Sequence, residues 1–220
     1  GSRFIQNGVP TPERMHGYGW ALLAAGAVAG LGLALLRGPQ VLLIGLVGLG
    51  IGWGYSAPGL RLSGRGLGEA AAAVSFGILI PLGADWALRG ELSWLPVMAS
   101  LPFGLLTANL LFLNQFPDYR ADAASGKRHW VVRLGPQRAR WGYPLIAVVA
   151  HAWLVAMVVA GALPAAALVA LLPGLWSLAA AKRLFRHAHR PDRLEPAIRA
   201  SLMALTAHGL VLAAVLGSAA

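Results

Sequence analysis

Seven apolar runs, near 17–36, 40–57, 67–88, 95–116, 142–161, 163–181 and 199–217, fill nearly all of this 220-residue chain. Each is long enough to cross a bilayer core as a helix, which takes roughly 17 to 25 residues. Lipid offers the backbone no hydrogen-bond partners, so a chain of this kind must satisfy its N–H and C=O groups internally. The expected fold is all-α: a polytopic transmembrane helical bundle making one domain over 1–220, with no space left for a separate soluble unit. The composition agrees, with 57% hydrophobic and 12% charged residues and a mean hydropathy of +0.64.

The basic residues test this division independently. One set of connections and termini carries Arg3, Arg14, Arg61, Arg65, Arg120, Lys127, Arg128, Arg133, Arg138, Arg140, Lys182, Arg183, Arg186, Arg190, Arg193 and Arg199, and the alternating set carries only Arg37 and Arg89. A wrong division would scatter these charges. The bias predicts that the basic side is cytoplasmic, in a multi-pass protein of the plasma membrane if the source is bacterial. The net charge of +10 then requires no nucleic-acid partner, while a lipid bilayer surface and a diphosphate substrate would both suit it. Without cysteine there is neither a disulfide framework nor thiol chemistry. No cleavable signal peptide is expected, and the chain opens on Gly1-Ser2 rather than methionine.

Gly48, Gly50, Gly52 and Gly54 form overlapping small-xxx-small pairs, which predicts tight helix packing on that face. Pro173 should kink its run, whereas Pro164 suits a first turn. Pro117 disfavours helical backbone at Phe116, so the fourth run should kink or break there.

Chemistry concentrates just past that point. Asn114, Asp118 and Asp122 recur every four residues, followed by Gly126-Lys127-Arg128. On a helix this spacing stacks the three side chains on one face, and Pro117 makes the argument firmer for the two acids than for Asn114. Two carboxylates and an amide so arranged could hold Mg²⁺, which takes one or two carboxylates plus waters and substrate phosphates. Lys127 and Arg128 suit phosphate oxygens. A solvated helix end at a membrane surface would have the same composition. Acids and most bases gather at one interface rather than at mid-depth, where pumps keep theirs, and no internal repeat of the transporter kind is evident. His151 and His208 are the mid-span exceptions, expected as neutral rings bonded to a neighbouring helix carbonyl. His129 is expected as a solvated loop residue, and Arg133 and Arg138 as lipid-facing. Asp85 beside Trp86 receives no function. His187 and His189 lack the companion ligands of a zinc site.

Two blocks carry a family resemblance. Asn114 to Asp122 with Gly126-Lys127-Arg128 and Val131-Val132-Arg133-Leu134-Gly135 resembles the second aspartate-rich motif of the UbiA superfamily of intramembrane prenyltransferases. Tyr55-Ser-Ala-Pro-Gly-Leu-Arg61-Leu with Arg65-Gly-Leu-Gly68-Glu69 resembles that family's cytoplasmic loop between helices four and five. The likeness is nearest to the branch that prenylates 1,4-dihydroxy-2-naphthoate in menaquinone synthesis. It implies a nine-helix bundle with a cavity open to lipid, and an isoprenyl diphosphate held on Mg²⁺ between two aspartate-rich motifs. The second motif maps onto Asp118, Asp122 and Asn114. Lys127, Arg128, Arg61 and Arg65 would add positive charge at the diphosphate, and Tyr55 would orient the aromatic acceptor or stabilise an allylic cation, if it is not simply an interface-belt tyrosine. Gly1 to Gly8 is similar to the segment following the first motif, so Gly1-Ser2 is expected to be native and the chain to lack that motif and two helices. With half the carboxylates missing, the 220 residues alone are expected to be inactive or nearly so. Alternatives within the resemblance are a sister activity on 4-hydroxybenzoate, homogentisate, a chlorin or an archaeal-type lipid ether, and a non-catalytic isoprenoid-binding protein.

Overall fold

Thr11 opens the first helix by accepting a hydrogen bond from the Arg14 amide (3.3 Å), with Pro12 at the first helical position. The computed structural model describes residue 8 and residues 10–219. The expectation placed on Gly1 to Asn7 lies outside them. Helix α1 spans Pro12–Arg37 and turns through Gly38, at φ +94, into α2 (Gln40–Ser56). A short α3 (Leu62–Arg65) precedes α4 (Gly68–Val74), which passes through a π-helical turn (Ser75–Leu79) into α5 (Ile80–Arg89). Then come α6 (Leu95–Ala124), α7 (Trp130–Ala139) and α8 (Gly142–Val159). A 3-10 segment (Ala165–Leu171) leads to α9 (Gly174–His187), and α10 (Glu195–Ala219) follows a short 3-10 turn. The described residues include no strand.

The predicted spans survive as helices. Six stretches reach 18 residues with enough hydropathy to cross a membrane: Pro12–Arg37, Gly68–Arg89, Leu95–Ala124, Gly142–Val159, Ala165–His187 and Glu195–Ser218. The apolar α2 is the shortest of the seven at 17 residues. Large aliphatic side chains stand fully outward, Leu35 at 89% exposure and Val159 at 82%. A water-soluble protein does not present apolar surface on that scale, so this is a multi-pass integral membrane protein.

Helix α6 is the axis, packed against α4, α7, α8 and α10. Its basic-end half buries Phe112, Leu113 and Phe116 against Val131, Tyr143, Leu184 and Leu194. Leu154, Leu163, Ala167, Ala170 and Leu212 close the opposite half.

Three expectations about backbone are settled here. Pro117 does not end its helix: α6 continues to Ala124 with both Pro102 and Pro117 inside it. Leu113 and Phe116, each 0% exposed, anchor the turn before Pro117, and core packing overrides the local preference. Pro173 acts as expected, separating the 3-10 segment from α9. Three of the four glycines of α2 do not: an ideal Cβ on Gly48, Gly50 or Gly52 would meet nothing within 4 Å, whereas one on the buried Gly54 would lie 3.1 Å from Leu60 Cδ1 of the following connection. Close approach occurs instead where α6 meets the π turn. A Cβ on Gly104 would lie 2.5 Å from the Gly77 Cα and 2.6 Å from the Ala73 carbonyl, so only glycine lets these backbones touch.

Candidate active site

At the basic end a cleft of about 790 Å³ lies between the α2–α4 connection and the α6–α7 connection. Tyr55, Arg61, Arg65, Lys127 and Arg128 all line it, as does Arg133. Five of the eight predicted site residues, drawn from segments some 60 positions apart, therefore converge. Asn114, Asp118 and Asp122 are not among the lining residues, although Asp122 bonds one of them, Lys127. With α6 unbroken, however, the three share one helical face, and Asn114 and Asp118 are exposed at successive turns of it.

The two connections are clasped by backbone-directed bonds. The Arg128 amide donates to the Gly64 carbonyl (2.6 Å), and Trp130 Nε1 donates to the Gly66 carbonyl (2.8 Å). Arg133 Nη2 donates to the Arg65 carbonyl (2.8 Å), its guanidinium lying over the Trp130 ring. Arg133 is thus part of the cleft wall rather than a lipid-facing charge, because the loop carbonyls offer it a fixed acceptor. Gly66 sits at φ +80 with the Trp130 indole against it. Arg61 is the sole non-glycine residue at positive φ among the described residues, at φ +45. Such strain in a non-glycine residue persists only where its surroundings enforce it.

The charge balance in the cleft is one-sided. Arg61, Arg65, Arg128 and Arg133 have no carboxylate partner among the described residues, where the ion pairs are Arg89 with Asp85 and Glu91, Lys127 and His129 with Asp122, Arg193 with Asp192, and Arg199 with Glu195. Unpaired guanidiniums around one concavity make an anion receptor, and their fork geometry matches phosphate oxygens.

Asp122 links α6 to that receptor. Its Oδ1 accepts from Lys127 Nζ at 2.7 Å and its Oδ2 lies 3.1 Å from His129 Nε2. His129 is buried, at 1% exposure, so it is not a solvated loop residue; the fold of the loop turns its ring under Asp122. Asp118 makes no ion pair among the described residues and stays open to solvent. Exposed Asn114 and Asp118 and the partly buried Asp122 offer two carboxylates and a carboxamide, hard oxygen donors of the kind Mg²⁺ uses, leaving positions for water and phosphate oxygens. The donor set fits that ion.

Two further residues had no assigned role in the sequence. Glu69, 9% exposed, accepts at Oε1 from Gln115 Nε2 (2.7 Å), and its Oε2 is buried without a partner. This pair fastens α4 to α6, with Gln115 adjoining the helical face that carries Asp118 and Asp122. The clue was positional, since Gln115 adjoins Asn114 and Glu69 closes the Arg65 block, but a cross-helix bond is invisible in one dimension. Only one of the mid-span histidines, His208, reaches a neighbouring element as expected of both; His151 turns back on its own helix. His208 Nδ1 bonds the Ala170 carbonyl of the neighbouring 3-10 segment (2.9 Å), and His151 Nδ1 bonds the Ala147 carbonyl one turn back in its own helix (2.6 Å). Asp85 is bidentate with Arg89 at the other end of the bundle.

Comparison with known proteins places this geometry in context. The profile of the UbiA prenyltransferase family matches residues 2–217. A 1,4-dihydroxy-2-naphthoate octaprenyltransferase of Mycobacterium leprae (strain TN) is 28% identical over 194 residues, 88% of this chain and 65% of that protein. A protein of the same name from Mycobacterium tuberculosis (strain ATCC 25618 / H37Rv) is 30% identical over 148 residues, 67% of this chain and 51% of its own length. A 2-carboxy-1,4-naphthoquinone phytyltransferase of Synechocystis sp. (strain ATCC 27184 / PCC 6803 / Kazusa) is 36% identical over 92 residues, 41% of this chain and 30% of that protein. The matched chain spans less than two thirds of the length of these relatives. No solved structure matches significantly.

Proposed function

The chain belongs to the UbiA prenyltransferase family, and from that premise we propose that it transfers an isoprenyl group from a prenyl diphosphate to 1,4-dihydroxy-2-naphthoate at the cytoplasmic face of the membrane. The observation that carries this is the cleft in which Arg61, Arg65, Arg128 and Arg133 converge without carboxylate partners beside the Asp118–Asp122 face. The names of the relatives from both mycobacteria support the acceptor.

The chain's own residues divide the work. Arg61, Arg65 and Arg128 bind the diphosphate oxygens and hold fixed positive charge where negative charge grows as the allylic C1–O bond breaks. Lys127, once released from Asp122, adds its ammonium to the same oxygens. Asp118 and Asp122, with Asn114, would hold Mg²⁺, which supplies Lewis-acid neutralisation of the departing diphosphate when bound. The apolar helix faces take the isoprenoid tail, at about 0.8 kcal/mol for each CH₂ removed from water. Tyr55, which lines the cleft, presents its ring face to the allylic cation and helps exclude the water that would otherwise capture it.

The test is transfer of a labelled prenyl diphosphate in membranes carrying the intact gene product. 1,4-Dihydroxy-2-naphthoate, 4-hydroxybenzoate and homogentisate are offered in parallel, with and without EDTA. Product on the naphthoate alone, lost with EDTA, is the expected result. Product on another acceptor would move the protein to a sister activity. No product on any acceptor from folded protein would favour binding without turnover.

A further inference from the structure

Lys127 and His129 hold the two oxygens of Asp122 in different ways. Lys127 is about half exposed and reaches Oδ1 on a flexible four-carbon stem. His129 is walled in, and its neighbours are fixed: the Arg128 amide is tied to Gly64 and the Trp130 indole to Gly66, while the His129 carbonyl accepts from the Arg133 amide (3.0 Å) at the start of α7. The ring therefore cannot follow Asp122; the carboxylate must come to the ring. A carboxylate only accepts, so Nε2 carries the proton in this contact. Partners behind a ligating carboxylate orient it, and removing one typically costs 10- to 100-fold in metal affinity.

We propose that His129 is a positioning residue for the cation site: its Nε2–H pins Asp122 Oδ2 and so turns Oδ1 towards the basic cleft, where Lys127 covers it until a divalent cation arrives with the diphosphate. This rests on the assignment of Asp122 as a cation ligand. The residue acts through Asp122 and touches no substrate.

The test measures Mn²⁺ binding in the presence of inorganic diphosphate, read from the EPR signal of free Mn²⁺, on the full chain in lipid nanodiscs. Wild type is compared with His129→Gln, His129→Asn, Asp118→Ala and Asp122→Ala. A Gln amide nitrogen can stand near the Nε2 position whereas that of Asn falls short, and both variants keep a polar group in the pocket. His129→Asn should weaken Mn²⁺ binding about tenfold, His129→Gln should stay close to wild type, and His129→Asn should have no further effect in the Asp122→Ala background. If His129→Asn binds Mn²⁺ as wild type does while Asp122→Ala has lost it, the inference fails and the cation site stands. A further loss in the Asp122→Ala background would also overturn it, since His129 would then act other than through Asp122. If Asp118→Ala and Asp122→Ala both bind as wild type does, the cation site itself is misassigned and the inference falls with it.

Discussion

Residues in and around the cleft fall into those that meet charge and those that hold the others in place. Asp118 is exposed and unpaired among the described residues, whereas Asp122 is gripped from two sides. Both should nevertheless be indispensable, because each offers hard oxygens on the same face. Asp118→Ala and Asp122→Ala are each expected to lower prenyl transfer by about 100-fold or more, with unchanged elution on size exclusion; near-normal turnover in either would remove it from the site. Lys127→Ala should act on binding, raising the apparent KM for the prenyl diphosphate about tenfold, the scale of one charge-assisted hydrogen bond. A KM that does not move would leave Lys127 as a partner of Asp122 and nothing more. The sequence singled out Asp118, Asp122, Lys127 and Arg128 because their types and spacing are chemical statements in themselves. It misjudged His129 and Arg133, whose meaning depends on a loop more than 60 residues earlier coming to meet them.

At the level of elements, continuity and close approach decide the site. Helix α6 carries Asn114, Asp118 and Asp122 in register only because it runs through Pro117, and core contacts of Leu113 and Phe116 keep it doing so. It stands close to α4 and the π turn because Gly104 faces Gly77. Gly104→Ala should force the two backbones apart and cost about 1 to 3 kcal/mol, seen as a lower melting temperature in detergent; an unchanged melting temperature would mean the helices give way freely. The clasp between the two connections is similarly exposed to test. Trp130→Phe keeps the ring and deletes the bond to the Gly66 carbonyl, worth about 1 kcal/mol. It should loosen the cleft and raise the KM for the prenyl diphosphate more than it lowers kcat, and the reverse split would argue that Trp130 serves the chemical step.

Across the whole molecule, the charge bias between alternate connections predicts orientation. Because the chain lacks cysteine, single cysteines report sidedness without background. An impermeant maleimide should label Glu91→Cys in intact cells and Asp192→Cys only after permeabilisation; the opposite pattern would invert the bundle and put the cleft outside. The all-α membrane fold and its division into spans were legible from the sequence because lipid imposes them locally: a run of apolar residues of sufficient length must become a helix whatever its neighbours do. The alternation of basic and nearly charge-free connections was legible for the same reason, since each charge sits in its own connection. Which glycines touch was not, because Gly48 and Gly104 look alike until a second backbone arrives or fails to. The clasp of Trp130 on Gly66, the burial of His129 beneath Asp122 and the Glu69–Gln115 bond are likewise products of tertiary structure. The first and last join groups 64 and 46 positions apart. His129 meets Asp122 only seven residues away, in a loop whose next residues are tied to Gly64 and Gly66. The free energy of such contacts belongs to the pair, not to either residue's surroundings in sequence.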